Sequence, residues 1–144
     1  MKRSPMHRWH ETNGATLAEE LGWCVPLRYS RYPDAEQEAR AVSSSVGICD
    51  LSHIHEPLSP YARFLIAGPH ARALLSKLTS LNLDLTTAYG NVAHVRCQLA
   101  RHDLGFLVMV PRDYAESVWD AILHAGVEFH VTPFGVEAQR RLEA

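Results

Sequence analysis

The sequence holds no apolar run long enough to cross a bilayer, and the residues after Lys2-Arg3 include no seven-residue apolar stretch of the kind a secretory leader requires. Export and membrane anchoring are therefore not expected, and cytoplasmic residence is. Cysteine is scarce. Cys24, Cys49 and Cys97 are odd in number and share no Cys-x-x-Cys spacing, which excludes a disulfide framework and a thiolate zinc site and predicts reduced, mostly buried thiols. Lysine is limited to Lys2 and Lys77, so arginine supplies nearly all of the 14 basic residues. Those residues are dispersed and the net charge is −2, leaving no counterion-release drive towards nucleic acid. Internal repeats are also lacking. What is present is a chain of 144 residues, 47% hydrophobic, enough to bury one sizeable core and hence a single domain over 1–144.

Local signals mark the elements. Ser4, with Pro5 in the first turn and Gly14 at the exit, predicts a short, polar, exposed helix at the amino terminus. Pro33-Asp34-Ala35-Glu36 puts acidic groups at the positive end of a second helix that Gly47 closes. Residues 62–67, bounded by Pro60 and Gly68-Pro69, are short and apolar, which suits a strand. Pro69 opens a helix with Ala71, Leu74, Leu75 and Leu78 on one face. The alternation of Ala93, Val95, Cys97 and Leu99 against His94, Arg96 and Gln98 predicts a half-buried strand. Asp103-Leu104-Gly105 turns the chain into a central apolar strand over 106–110. Asp113 is placed to cap a helix whose buried stripe is Ala115, Val118, Trp119, Ile122 and Leu123, with Gly126 as its stop, and 128–132 alternates as a last strand. Strand, helix, strand, strand, helix, strand is the ferredoxin-like split βαβ order (βαββαβ), an α+β class with two helices on one sheet face. This order predicts a core over 61–132, a helix and strand extension over 1–60 and a carboxy-terminal helix over 133–144.

Ser4 to Ala15, Gly22 to Tyr29, Val46 to His53, Ala67 to Ala71, Gly105 to Pro111, Val118 to Leu123 and Arg141 to Ala144, in that order, resemble segments of the folate-binding domain of the glycine-cleavage T-protein (aminomethyltransferase) family. Ser4-Pro5-Met6-His7-Arg8-Trp9-His10 with Gly14-Ala15 is similar to the family's opening helix. Gly22-Trp23-Cys24-Val25-Pro26-Leu27-Arg28-Tyr29 is similar to its Gly-Trp-x-x-Pro-Leu-x-Tyr strand, and Val46-Gly47-Ile48-Cys49-Asp50-Leu51-Ser52-His53 to its Gly-x-x-Asp-Val-Ser-His signature. Ala67-Gly68-Pro69-His70-Ala71, Gly105-Phe106-Leu107-Val108-Met109-Val110-Pro111, Val118-Trp119-Asp120-Ala121-Ile122-Leu123 and Arg141-Leu142-Glu143-Ala144 follow in the family's order. The family's folate domain is internally duplicated, whereas this sequence carries one such unit. The resemblance thus implies a shortened form that forms a homodimer or joins a hetero-oligomer with a flavoprotein.

The same resemblance implies tetrahydrofolate as the ligand and one-carbon (aminomethyl, methyl or methylene) transfer as the chemistry. Together with the residues themselves, it makes Asp50, His53 and Asp103 the candidate proton-handling groups and Trp23, Ser52, Ile54, Tyr89 and Arg141 the candidate ligand contacts. Ile54 stands where the family has methionine, an apolar exchange that still packs against a flat ring. Arg140 or Arg141 stands near the family's arginine. Two features differ. The family's pterin-bonding glutamate is Leu107 here, and the Gly-Gly-x-x-Asp-Asp-like segment carrying its aspartate is absent. The residues themselves allow two readings: Asp50, Ser52 and His53 line a cleft in which Tyr89, Trp23 or Trp119 stacks on an aromatic ligand, or they close a turn by bonding the backbone. Asp103 is likewise a general acid or base, or a hairpin turn residue. Trp119 also fits an ordinary core stripe. His53 and His55 would share a strand face, but no third ligand is evident and no metal site is expected; His7 and His10 read as surface residues of one helix face. The arginine excess suits bidentate capture of carboxylates such as a folate tail, or reflects base composition alone.

Three functions follow. The chain is a folate-dependent transferase, or a non-catalytic accessory subunit docking a flavin-dependent amine oxidase or demethylase, as the small subunit of heterotetrameric sarcosine oxidase does by resemblance. The third is a small-molecule binding or tailoring protein with a repurposed pocket.

Overall fold

The computed structural model describes residues 2–54 and 60–144, so His55 and Glu56 of the histidine-rich segment lie outside the described residues. Its elements are β1 (Lys2–Arg3), α1 (His7–Thr12), β2 (Ala15–Glu20), β3 (Trp23–Tyr29), α2 (Ala35–Ser44), β4 (Gly47–Asp50), β5 (Tyr61–Ala67), α3 (Ala71–Ser76), β6 (Thr87–Val92), β7 (Val95–His102), β8 (Gly105–Pro111), α4 (Ala115–Ala125), β9 (Thr132–Pro133) and α5 (Val136–Glu143). The fold is α+β. A three-stranded sheet has the order β1-β3-β2, and a six-stranded sheet the order β6-β7-β8-β5-β4-β9. No helix among the described residues is long and apolar enough to cross a membrane.

The central hairpin follows from the sequence as read. β5, β8 and β7 pair antiparallel, with Phe64 opposite Val108 and Leu99 opposite Val108 on its other side. Because side chains alternate across a strand, one face sends Ile48, Phe64, Ile66, Val108, Cys97 and Leu99 into a core closed by α3 and α4, where Trp119 and Ile122 are fully buried. The other face sends Cys49, Leu65 and Ala67 into a second core made by Trp23 and Val25 of β3, Ala39 and Val42 of α2, and Phe134, Val136 and Ala138 around α5.

The sheet departs from the expected four-strand order at both edges. β4, from the stretch read as an extension, lies between β5 and β9. Its Gly47-Ile48-Cys49-Asp50 is wholly buried, as a strand covered on both faces must be. At the other edge β6 pairs with β7, and the residues joining them, Ala93 and His94, have positive φ of 52° and 67°. These two residues form the mirror-image turn that matches strand twist, so Ala93 sits in a turn and the expected strand begins at Val95. The expected strand over 128–132 is instead a 3-10 turn at Val127–Phe129, a left-handed His130 and the two-residue β9. Asp113 does not cap α4: it lies in a 3-10 turn over Arg112–Tyr114, and Tyr114 occupies the cap position with no side-chain bond. Asp34, by contrast, does cap α2, its carboxylate accepting the Gln37 N–H at 2.9 Å.

The amino-terminal helix exposes Arg8, Glu11 and Thr12 but buries its other side. Met6 and His10 are buried and Trp9 packs against the main core, so His10 is a core residue rather than a surface one. Trp9 meets Trp119 edge-on with ring centroids 5.0 Å apart, and Trp119 meets Phe64 at the same distance. Such edge contacts add to the area that large rings bury. Glu38 joins the layers on the opposite face. Its carboxylate, wholly buried, accepts the N–H of Tyr29 at 2.9 Å and of Gly135 at 2.7 Å, tying α2 to β3 and to the start of α5.

Candidate functional site

Asp50 ends β4, and the chain there makes a 3-10 turn over Ser52–Ile54. The turn is closed by Asp50 itself: its Oδ1 accepts the Ser52 N–H at 3.0 Å and the Ser52 hydroxyl at 2.5 Å. Its Oδ2 accepts from the Ser4 hydroxyl and from His10 Nε2, the latter at 2.8 Å. His10 Nδ1 in turn meets the Tyr29 hydroxyl at 2.6 Å. Since a carboxylate only accepts, Nε2 carries a hydrogen. All five residues are buried.

Charge and burial agree with this assignment. Burial alone would raise the Asp50 carboxyl, but hydrogen bonds and charge from His10, with further hydrogen bonds from Ser4 and Ser52, outweigh it and hold the group below the ordinary carboxylate range. Burial, aided by Cys49, Asp50 and Glu38, pushes the Tyr29 phenol well above its usual value, so it stays protonated. Asp50 therefore has its lone pairs occupied and no access to solvent. Its geometry is that of the turn-closing reading, extended into a network that pins α1 and β3 to the sheet. Ser4 and His10 lie 46 and 40 positions from Asp50, so no local signal in the sequence links them.

The remaining predicted residues do not converge. His53, half-buried beside the network, has its imidazole lowered by burial, against opposing pulls from Asp50 and Glu20. The result is a neutral imidazole at neutral pH, placed near the Glu20–Arg140 ion pair. Ile54 follows at the surface, 53% exposed. Trp23 is buried in the second core, with no ring face open to a ligand the size of a pterin. Trp119 is wholly buried. Asp103 is exposed in the β7–β8 turn, beside a shallow cavity it shares with Val42, Ser43, Leu104 and Leu142. Arg141 is exposed on α5, beside a separate depression with Arg28 and Glu137. No group of three metal-ligating side chains occurs among the described residues.

Tyr89 lies elsewhere again, 65% exposed on β6. Register places it opposite Gln98, which faces Met109, which faces Arg63, so these four cross one sheet face in a row. A cavity of about 450 Å³ opens there, lined by Tyr61, Tyr89, Arg96, Cys97, Gln98 and Pro111. Arg63 is half-buried. Its Nε is buried with no hydrogen-bond partner, no carboxylate pairs with it among the described residues, and burial lowers its guanidinium from the usual value. Burial raises the Cys97 thiol to about 11, so this cysteine offers no thiolate at neutral pH. Sequence reasoning singled out Tyr89 but neither Arg63 nor Arg96. The alternation of β7 and β5 was the available signal, since it sets these cations on the same face as Tyr89 once the pairing is known.

Comparison with known proteins gives the family. A model of the GCVT N-terminal domain matches residues 54–144. An aminomethyltransferase of Chlorobium luteolum is 34% identical over 84 residues, which cover 58% of this chain and 20% of that protein. One from Moorella thermoacetica is 28% identical over 116 residues, covering 81% of this chain and 29% of that protein. One from Saccharopolyspora erythraea is 36% identical over 86 residues, 60% of this chain and 21% of the relative. Among solved structures, the glycine cleavage system aminomethyltransferase T from Bartonella henselae aligns over 87% of this chain and 35% of its own, with 21% identity and a TM-score of 0.38. The chain thus spans between a fifth and under a third of the length of these curated relatives. With more than half of its residues inside the matched domain, and that domain beginning at the turn which Asp50 closes, the chain belongs to the glycine-cleavage T-protein family through its GCVT N-terminal domain.

Proposed function

We propose that this chain serves tetrahydrofolate-dependent one-carbon metabolism as a T-protein-like binding unit, holding a folate-type ligand on the open sheet face of β5 to β8. The observation that carries the reading is the half-buried Arg63 guanidinium without a carboxylate, on the face that also bears Tyr61, Tyr89 and Arg96. Tyrosine rings stack on a flat pterin or benzoyl ring, and arginine forks capture the carboxylates of a glutamate tail. A cavity of about 450 Å³ is of a size suited to part of such a ligand. Leu107, which stands where the family places its pterin-bonding glutamate, packs against the second core.

Titration calorimetry with tetrahydrofolate under reducing, anaerobic conditions tests this. Saturable binding is expected, weakened at least about tenfold in Arg96→Glu and in Tyr89→Ala. Absence of binding at hundreds of micromolar, for folded protein, overturns it.

A second reading is favoured by the occupied Asp50 and by Leu107. In it, the chain is a non-catalytic accessory subunit that presents the same face to a flavin-dependent amine oxidase or demethylase. Co-purification with such a flavoprotein, lost in Tyr89→Ala, together with no tetrahydrofolate binding by the isolated chain, would select this reading over the first.

A further inference from the structure

A second cavity, sharing no lining residue with the open sheet face, lies where α1, the end of β3 and the end of α4 meet. Its volume is about 460 Å³, within the range of small-molecule sites. Trp9, Tyr29, Leu123, Val127, Val131 and Pro133 supply the apolar walls, and Asn13, Arg31 and His130 the polar groups. A predominantly apolar lining with a few polar groups is the usual composition of a ligand site.

Three features make this a built site rather than a surface irregularity. First, the aromatic wall is rigid. Trp9 packs edge-on against Tyr29, His10 and Trp119, and the Tyr29 hydroxyl is held by His10. Second, Arg31 is placed in advance: its guanidinium donates from Nη1 to the Val131 carbonyl at 3.2 Å and lies over the Tyr32 ring at 5.9 Å. No carboxylate pairs with it among the described residues, so most of its donors remain for another acceptor. Third, His130 is held in the left-handed region at φ 55° and ψ 45°, its N–H bonded to the Val127 carbonyl. Non-glycine residues in that region cost energy and recur at ligand sites. Val127 at the rim is 67% exposed, an apolar group in water that a ligand would cover.

We infer that this cavity binds a small planar carboxylate, its ring against Trp9 and Val127 and its carboxylate on Arg31. Calorimetry with 2-naphthoate, using neutral 2-naphthamide as control, tests the inference on the whole chain. Naphthoate should bind saturably and the amide about tenfold more weakly, because only the acid can accept a charge-assisted pair from the guanidinium. Arg31→Gln should weaken the acid by about tenfold and leave the amide unchanged, while Arg40→Gln, on α2, should change neither. Val127→Asp, at an exposed position that tolerates substitution, should repel the acid. In nitrogen–proton correlation spectra the shifts should cluster at Trp9, Val127 and Val131. Failure of naphthoate to saturate, equal affinity for acid and amide, indifference to Arg31→Gln, or shifts centred on Tyr89 and Gln98 would each overturn it.

Discussion

Replacing Asp50 by alanine removes the acceptor of four hydrogen bonds inside the core, from Ser4, His10 and both the N–H and hydroxyl of Ser52. The cost follows from what is left behind. Each buried donor stripped of its acceptor forfeits about 1–3 kcal/mol, and breaking one partner out of a buried charge-assisted pair costs about 3–5 kcal/mol. Some of this is recovered as the cavity relaxes, so Asp50→Ala should lose about 4 kcal/mol. That is about a quarter or more of the roughly 5–15 kcal/mol by which native domains are stable. Asp50→Asn keeps the volume and one acceptor and should lose about 2 kcal/mol. With a urea slope of about 2 kcal/mol/M, the alanine variant's midpoint at pH 7 should fall by about 2 M, read by far-ultraviolet circular dichroism. The pH dependence adds a second readout. The Asp50 carboxyl is held below its ordinary value, so its contribution is present above about pH 3.9 and is lost as pH falls through the depressed folded value. The gap between native protein and Asp50→Asn should therefore close in acid. A loss below about 1 kcal/mol in Asp50→Ala at pH 7 would refute the argument, since the network would then carry no structural load.

Three further outcomes are expected. Gly135→Ala places a Cβ 2.3 Å from the Leu27 carbonyl carbon and oxygen and 2.6 Å from the Arg28 nitrogen. Backbone cannot yield as a side chain would, so thermal unfolding should show a loss of about 2 kcal/mol or more. Glu38→Ala orphans the buried N–H groups of Tyr29 and Gly135 and should cost about 2–4 kcal/mol; native-state hydrogen exchange should accelerate first in α5 if the loosening is local. The His53 imidazole, lowered by burial, should titrate below about 6.5 by proton NMR. Because its folded value is depressed, the stability linked to it is present above that pH and is lost as pH falls through the folded value; His53→Gln should flatten this slope. A His53 midpoint above about 6.5 would contradict its half-buried placement.

Much of the fold was legible because apolar alternation and helical spacing are local. Residues 62–67 and 106–110 read as strands and appear as β5 and β8, and the stripe Ala115, Val118, Trp119 and Ile122 is buried as spaced. β6 was not legible: Tyr89-Gly90-Asn91 carries the composition of a turn, and only pairing with β7 makes it a strand. β4 was misplaced for a related reason. Gly47–Asp50 is too short to declare itself, and its interior position depends on partners 14 and more residues away. The candidate site followed the same division. Asp50 and Ser52 were visible as a turn, whereas their commitment to Ser4, His10 and Tyr29 was not.

The order of glycines, prolines and apolar stripes by itself determined the α+β class, the central hairpin and the membership of the T-protein family, because each of these is written within a few neighbouring residues. Tertiary structure alone decided which polar groups are spent and which are available. Asp50 and Arg63 are both charged residues in apolar strands, yet one meets Ser4 and His10 across forty or more positions while the other meets no carboxylate among the described residues. Burial and pairing are properties of surroundings that the chain assembles from distant segments, and those surroundings turn one aspartate into structure and leave the Nε of one arginine buried without a hydrogen-bond partner.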